Sequence, residues 1–350
     1  MGLELGVRAD EIDVVARTVT LSDHRVLPYD ALVLATGSRA RTLPGFEGDR
    51  VHVLRSLADA ERIAPRLVAG THLAILGAGF VGCEVAAVAA ERGLSVTVLE
   101  PAPTVLGRVL APEIGQAMQA IHAEHGVDLR TGVMVTSMRE TADGLELVTD
   151  SGEVVACDEL LVGVGSIPNA ELAEAAGIEV DGGIVTDAFG RTSAPDVYAI
   201  GDVASRFHPG HGRHLRVEHH DTAMRHGQHL ARTLTGEPAA FTEEPYFWSH
   251  QYDHQVQCVG GHYVGDGEAV VRGSVEDRSF SAFVLEDGRI RALVALDRPR
   301  DLLQTRKLLA VPHEVTAEQL ADETFDLKSL MPPRERPPRE QRARRERATA

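Results

Sequence analysis

Cysteine is scarce in this chain: three residues in 350, Cys83, Cys157 and Cys258, with no Cys-x-x-Cys or Cys-x4-Cys pair among them. That spacing provides no dithiol redox couple and fits a reducing compartment in which each thiol is a small buried hydrophobe. Long apolar runs are missing too. The longest stretch, 73–90, is broken by Glu84 and by three glycines, so it reads as strand, turn and helix and not as a membrane span. The opening Met-Gly-Leu-Glu-Leu-Gly has neither the basic flank nor the apolar core of a secretory signal, and Gly6 stands where myristoylation wants Ser or Thr. A cytoplasmic protein without a membrane association is expected. Positive charge is short as well: 35 Lys and Arg face 52 Asp and Glu, a net charge of −17. Residues 332–350 alone hold seven Arg against three Glu, so the body is more acidic still, which argues against nucleic acid as a main partner.

What is present is an ordinary globular composition, 43% hydrophobic and 25% charged, in a chain long enough for two or three domains. Residues 11–34 read as β structure and 56–69 as helix, 113–125 as helix, 127–162 as several strands, and 217–235 as helix. After Pro245 the pattern changes to strands at 255–260, 268–274, 280–285 and 290–296, with a last helix at 299–310, a small separate α+β unit. The Pro/Arg/Glu-rich tail 331–350 has the composition of a disordered segment, most simply a solvated end.

The strongest local signal lies at 71–100. The apolar run Leu73-Ala74-Ile75-Leu76 leads into Gly77-Ala78-Gly79-Phe80-Val81-Gly82, then a helix, then Val96-Thr97-Val98-Leu99 ending in Glu100. Strand, Gly-x-Gly-x-x-Gly turn, helix, strand and terminal acid together make a dinucleotide-binding βαβ unit. Gly77 permits the tight turn, Gly79 lets a pyrophosphate approach, and Gly82 lets helix and strand close up. Helix N-terminal N–H groups face the phosphates. A carboxylate at Glu100 accepts bonds from ribose hydroxyls and repels a 2′-phosphate, so NADH is favoured over NADPH. Glu84, one turn into the helix, is either a solvated helix-dipole acid or a group facing the nicotinamide.

Two further signatures flank this unit: Tyr29-Asp30-Ala31-Leu32-Val33-Leu34-Ala35-Thr36-Gly37-Ser38 and Val197-Tyr198-Ala199-Ile200-Gly201-Asp202-Val203. In this order the three segments resemble the FAD-dependent pyridine nucleotide-disulfide oxidoreductases, flavoproteins with two dinucleotide sites. Gly79–Glu84, Arg216-Val217-Glu218, Trp248-Ser249-His250-Gln251-Tyr252 and Arg298-Pro299-Arg300-Asp301 narrow the resemblance to the ferredoxin reductases that serve Rieske oxygenases and cytochromes P450. It covers about residues 1–330. It implies an α/β fold of two Rossmann-like dinucleotide-binding domains plus a small C-terminal α+β domain. The FAD domain would comprise 1–45 and 167–245, the NAD domain 46–166, and the C-terminal reductase domain 246–330. The cofactors implied are FAD and NADH, and the partner a ferredoxin-type iron–sulfur protein. By the same resemblance Thr36, Gly37, Arg55, Gly201 and Asp202 contact the flavin, Trp248 covers its ring, and Arg108 and Gly165 join the dinucleotide site. Read without the resemblance, Trp248 is a core aromatic and Gly201-Asp202 a plain turn.

The sequence departs from the family pattern twice. His220 stands where the family has Trp, and the first Gly-x-Gly-x-x-Gly, the flavin's, is not among these residues. It is expected upstream of Leu3, leaving the FAD domain incomplete here. Other readings stay open: an NADH oxidase or coenzyme A disulfide reductase type, against which the Trp-Ser-x-Gln pattern argues, or a fragment that binds NAD without catalysis. His208, His211, His214, His219, His220, His226 and His229 crowd one region without a recognisable metal-ligand spacing. His-Pro-Gly-His-Gly-Arg-His is expected to be a mobile loop, and no metal is expected.

Overall fold

A computed structural model describes residues 2–107, 110, 112–260 and 268–332. Its centre is a five-stranded parallel sheet ordered Val51–His52, Glu159–Val162, His72–Leu76, Ser95–Glu100, Asp128–Thr131. Parallel strands are covered on both faces, which is why His72–Leu76 is apolar almost throughout and does not alternate. Leu73 and Ile75 point to one side, into a core shared with the helices Phe80–Glu91 and Pro112–Glu124. Ala74 and Leu76 point to the other, onto the three-stranded antiparallel sheet Val135–Glu140, Leu145–Thr149, Val154–Cys157. The period-two alternation of a strand thus feeds two different cores.

The strands Ser38–Ala40 and Ser166–Pro168 pair antiparallel and lead the chain out of this unit and back. Beyond them Leu32–Leu34 pairs parallel with Val197–Ala199, with Leu32 and Val33 only half-buried. Beside them run Ile184–Thr186, Ala204–His208 and Arg213–Leu215. An antiparallel sheet of Ala9–Asp13, Thr18–Leu21 and Val26–Pro28 packs Ile12 into the same small core as Leu34 and Ala199.

The C-terminal unit is a five-stranded antiparallel sheet, Tyr246–Gln251, His254–Gly260, Arg289–Leu296, Ser279–Glu286, Glu268–Ser274. One face, with Phe247, Val256, Cys258 and Phe280, joins the core of the dinucleotide-turn helix. The other, with Val259, Phe283 and Leu293, is closed by the helix Pro299–Leu308.

Several elements depart from the expectations of sequence. Tyr246–Gln251 is the first strand of the C-terminal sheet, although the polar residues of Trp-Ser-His-Gln mask its period. The loop expected at His208–His214 is the turn of a hairpin, in which His211 and Gly212 N–H both donate to the His208 carbonyl and His208 and Arg213–His214 belong to its strands. Pro and Gly mark that turn correctly; the histidines on either side carried no apolar alternation to reveal the strands. The helix after it begins at His220, leaving Arg216–Glu218 outside. Arg108 and residues 333–350 of the tail lie outside the described residues. All three cysteines are buried and unpaired, and burial pushes each thiol up, as expected of packing groups.

Candidate dinucleotide and flavin site

Three glycines shape the turn after His72–Leu76, each for a different steric reason. Gly77 sits at φ +98, and a Cβ there would stand 2.6 Å from the Gly163 carbonyl oxygen. At Gly82 a Cβ would lie 2.0 Å from the Gly77 oxygen, so helix and turn touch backbone to backbone. At Gly79, by contrast, a Cβ would meet nothing within 4 Å. Two glycines are filled by protein and the middle one faces open space, the arrangement that lets a pyrophosphate approach. Gly79 is also the N-cap of the helix Phe80–Glu91 and supplies no side chain to its first N–H groups. Gly165, at φ +108, likewise has nothing within 4 Å of its Cβ position. Glu100 holds the turn: its Oε2 accepts from Ala78 N at 2.7 Å and its Oε1 from Ala102 N at 2.8 Å. These residues fit a nicotinamide dinucleotide. Phe80 packs its ring edge-on against Phe247 at 4.7 Å, and Val81 is exposed.

Glu84 is not a solvated acid. It is partly buried, and Ser249 Oγ donates to its Oε1 at 2.6 Å. Burial pushes its carboxyl above the usual range, against the Ser249 bond and the nearby His250. The contact extends inward. Gln251 Nε2 donates to Ser249 Oγ at 3.0 Å, its Oε1 meets His122 Nε2 at 2.9 Å, and His122 Nδ1 meets the Tyr252 hydroxyl at 3.0 Å. Burial lowers the His122 imidazole, so the ring is neutral, donating to Gln251 and accepting from Tyr252. This buried chain of bonds links the dinucleotide helix, the C-terminal sheet and the helix Pro112–Glu124. Sequence reasoning quoted Ser249, Gln251 and Tyr252 as a motif but gave them no task, and it missed His122. Their separation in sequence left only the Trp-Ser-His-Gln-Tyr run as a signal.

On the other side of the crossing strands, Arg55 Nη2 pairs with Asp202 Oδ2 at 2.7 Å, and Ser38 Oγ donates to the same oxygen at 3.0 Å. Thr36 Oγ1 donates to the Asn169 carbonyl at 2.6 Å, and Asn169 Nδ2 returns a bond to the Thr36 carbonyl at 2.8 Å. Gly37 (φ +68) has open space at its Cβ position. Gly201 (φ +71) donates its N–H to His226 Nδ1 at 3.3 Å. Burial, with Arg206 close by, pushes the His226 imidazole down to about 3, so it accepts this bond as a neutral ring. Gly201-Asp202 is therefore a held turn with a paired carboxylate. Trp248 stands 41% exposed, so it is not a core aromatic; it stacks on Tyr246 at 5.7 Å and meets His220 edge-on at 6.5 Å. Exposed glycine backbone, a carboxylate and a guanidinium at the start of a turn, and a half-open indole fit the ribityl and ring end of a flavin. Ser38 and Asn169 were not foreseen, since each acts through a partner more than a hundred residues away.

The candidate site thus divides into a Gly-built turn and a face built of side chains, joined through Ser38–Ala40 and Ser166–Pro168. Residues 2–227 match the pyridine nucleotide-disulphide oxidoreductase family, and 246–331 match the reductase C-terminal family. The chain is 41% identical to the ferredoxin--NAD(+) reductase component of the anthranilate 1,2-dioxygenase system of Burkholderia cepacia, over 95% of this chain and 82% of that one. Among solved structures, the ferredoxin reductase for the CYP199A2 system of Rhodopseudomonas palustris superposes with a TM-score of 0.90 at 38% identity, covering 93% of this chain and 81% of that one. The reductase in a covalent putidaredoxin reductase–putidaredoxin complex superposes at 0.88 with 36% identity, covering 93% and 80%. The chain belongs to the pyridine nucleotide-disulphide oxidoreductase family of flavoproteins. Within it, the chain is a member of the ferredoxin reductase branch, with FAD and NADH as its cofactors. Among the described residues no helix is long and apolar enough to cross a membrane.

Proposed function

We propose that this chain is an FAD-dependent NADH:ferredoxin oxidoreductase in which Gly77–Gly82, Gly165 and Glu100 hold NADH. In the same reading Thr36, Gly37, Arg55, Gly201 and Asp202 hold the flavin. Bound FAD supplies hydride acceptance from NADH and one-electron release to an iron–sulfur protein. The chain's own residues do the orienting. Gly79 and the helix N-terminus receive the NADH pyrophosphate; Glu100 takes the ribose hydroxyls and excludes a 2′-phosphate. Glu84, fixed by Ser249, holds the carboxamide end of the nicotinamide. Arg55, paired with Asp202 at 2.7 Å, holds that carboxylate aimed at the ribityl hydroxyls, and Trp248 keeps water off the ring. The electron acceptor is a ferredoxin of the kind named for the relatives. The proposed division of labour is 1–45 and 167–245 for FAD, 46–166 for NADH, and 246–330 for the reductase C-terminal domain, with the tail at 331–350. The cytoplasm is its proposed compartment, supported by the unpaired state of Cys83, Cys157 and Cys258.

The observation that carries this reading is the Glu84–Ser249 contact, which fastens the dinucleotide helix to the strand bearing Trp248. The test is anaerobic addition of NADH to the flavin-loaded protein, followed by a ferredoxin. Bleaching of the flavin, then its return as the ferredoxin is reduced, is the expected result. A flavin that stays oxidised under excess NADH would sink the reading. Asp202→Ala, which also strips Arg55 of its partner, is expected to weaken FAD binding by about tenfold or more, the loss of one charge-assisted bond.

A further inference from the structure

The hairpin that sequence suggested was a loop brings two of the crowded histidines together with an acid from a different segment. His208 ends the strand Ala204–His208, His211 lies in the turn after it, and Glu244 lies two residues before the first strand of the C-terminal sheet. One ligand atom from each lies within 4.8 Å of the others, and this is the one group of three or more such residues gathered so closely among the described residues.

The detail at His208 favours a ligand over a packing role. The ring is 4% exposed. Its Nε2 meets the Glu243 carbonyl oxygen at 3.3 Å, an acceptor only, so Nε2 carries the proton and Nδ1 presents a bare lone pair. That Nδ1 is buried and has no hydrogen-bond partner. It faces the turn: a Cβ added at Gly210 would lie 3.3 Å from His208 Nδ1 and 3.8 Å from Glu244 Oε1. A glycine here leaves that space to the two ligand atoms. One ring nitrogen donating to a backbone carbonyl while the other is free is the outer-shell arrangement that orients metal-bound histidines. His211 Nε2 lies 2.8 Å from Glu244 Oε2.

We propose that His208, His211 and Glu244 bind a divalent transition-metal ion of the zinc class. Two imidazoles and a carboxylate suit zinc, cobalt(II) or nickel(II) over magnesium or calcium, and water completes the coordination. On binding, the cation takes the place of the His211–Glu244 hydrogen bond: His211 turns a ring lone pair to the ion and keeps its proton on the other ring nitrogen, while Glu244 gives a carboxylate oxygen. The ion pins the flavin-side hairpin to the segment entering the C-terminal sheet. Its role is structural, and it is independent of the redox reading above.

The test uses the full-length, tag-free, flavin-loaded protein. Zinc is titrated by calorimetry and cobalt(II) by visible absorption. A single equivalent per chain is expected, with a cobalt spectrum of low coordination number. His211→Gln and Glu244→Gln, both partly exposed and expected to fold, should each weaken binding at least about tenfold, the least that loss of even an outer-shell partner costs. His214→Gln, on the same hairpin, should bind as the parent does. Zinc should raise the thermal midpoint of the parent and not that of the His211→Gln, Glu244→Gln double variant. Absence of binding to the parent, equal binding by the double variant, or an equal loss in His214→Gln would each overturn the proposal.

Discussion

A carbon atom added at Gly82 would stand 2.0 Å from a backbone oxygen, while one added at Gly37 would meet nothing within 4 Å. The two glycines mark two ways of building a binding surface. The proposed dinucleotide cradle is made of backbone packed on backbone, with residues 77–100 supplying most of its parts and the turn at Gly163–Gly165 the rest. The proposed flavin face is made of side chains that hold one another across the fold: Arg55 and Asp202 are 147 residues apart and in contact. The first kind of site tolerates no added bulk at Gly77 and Gly82, where backbone meets backbone; the second has room at Gly37 but depends on each pair being intact.

The largest expected effect separates these directly. Gly82→Ala forces turn and helix apart and should cost about 4 kcal/mol or more, the range of backbone-level disruption, with NADH binding lost. Gly37→Ala only places an alanine in the left-handed region, at about 1–2 kcal/mol. Urea unfolding of both variants checks this, and equal losses would break the contrast. Next comes cofactor choice. Glu100→Gln keeps an oxygen to accept from the turn but removes the charge, so the ratio of kcat/KM for NADPH over NADH should rise about tenfold. An unchanged ratio would show that discrimination lies elsewhere in the cradle.

The smallest effect concerns acid, and it belongs to the flavin side. His226, which accepts the Gly201 N–H, is pushed down to about 3 by burial and by Arg206. Above its unfolded value of 6.5 it is neutral in both states and contributes no pH dependence. As the pH falls below that value the unfolded chain takes up a proton that the folded chain refuses until about 3, so stability is lost with acid. From this one group the loss between about pH 7.5 and 5.5 should be about 1 kcal/mol. His52, His122 and His219 are lowered by burial in the same direction. His226→Gln should therefore flatten the curve without making it level. A curve identical to the parent's would show that His226 titrates freely.

Legibility followed the same division. The strand, the three glycines and Glu100 were readable because the signature lies within about 30 residues, the span of one βαβ unit, although the oxygen that crowds Gly77 comes from Gly163. Ser249 was visible as part of a motif, yet its bond to Glu84 was not, since nothing local says which acid a serine will meet. Ser38 was visible only as the end of the Tyr29–Ser38 run, and neither its bond to Asp202 nor that of Asn169 to Thr36 could be read from it. The strands that flank the loop at 209–212 went unread because their pairing rests on the partner strand and not on apolar alternation.

The sequence by itself determined the order of the units, the Gly-x-Gly-x-x-Gly turn and the acid that closes it, because these are set by backbone sterics between near neighbours. Only the tertiary structure decided that Glu84 is buried against Ser249, that Arg55 neutralises Asp202, and that His208, His211 and Glu244 converge. Those are contacts between residues far apart in the chain, and their charge and burial exist only once the sheets have packed.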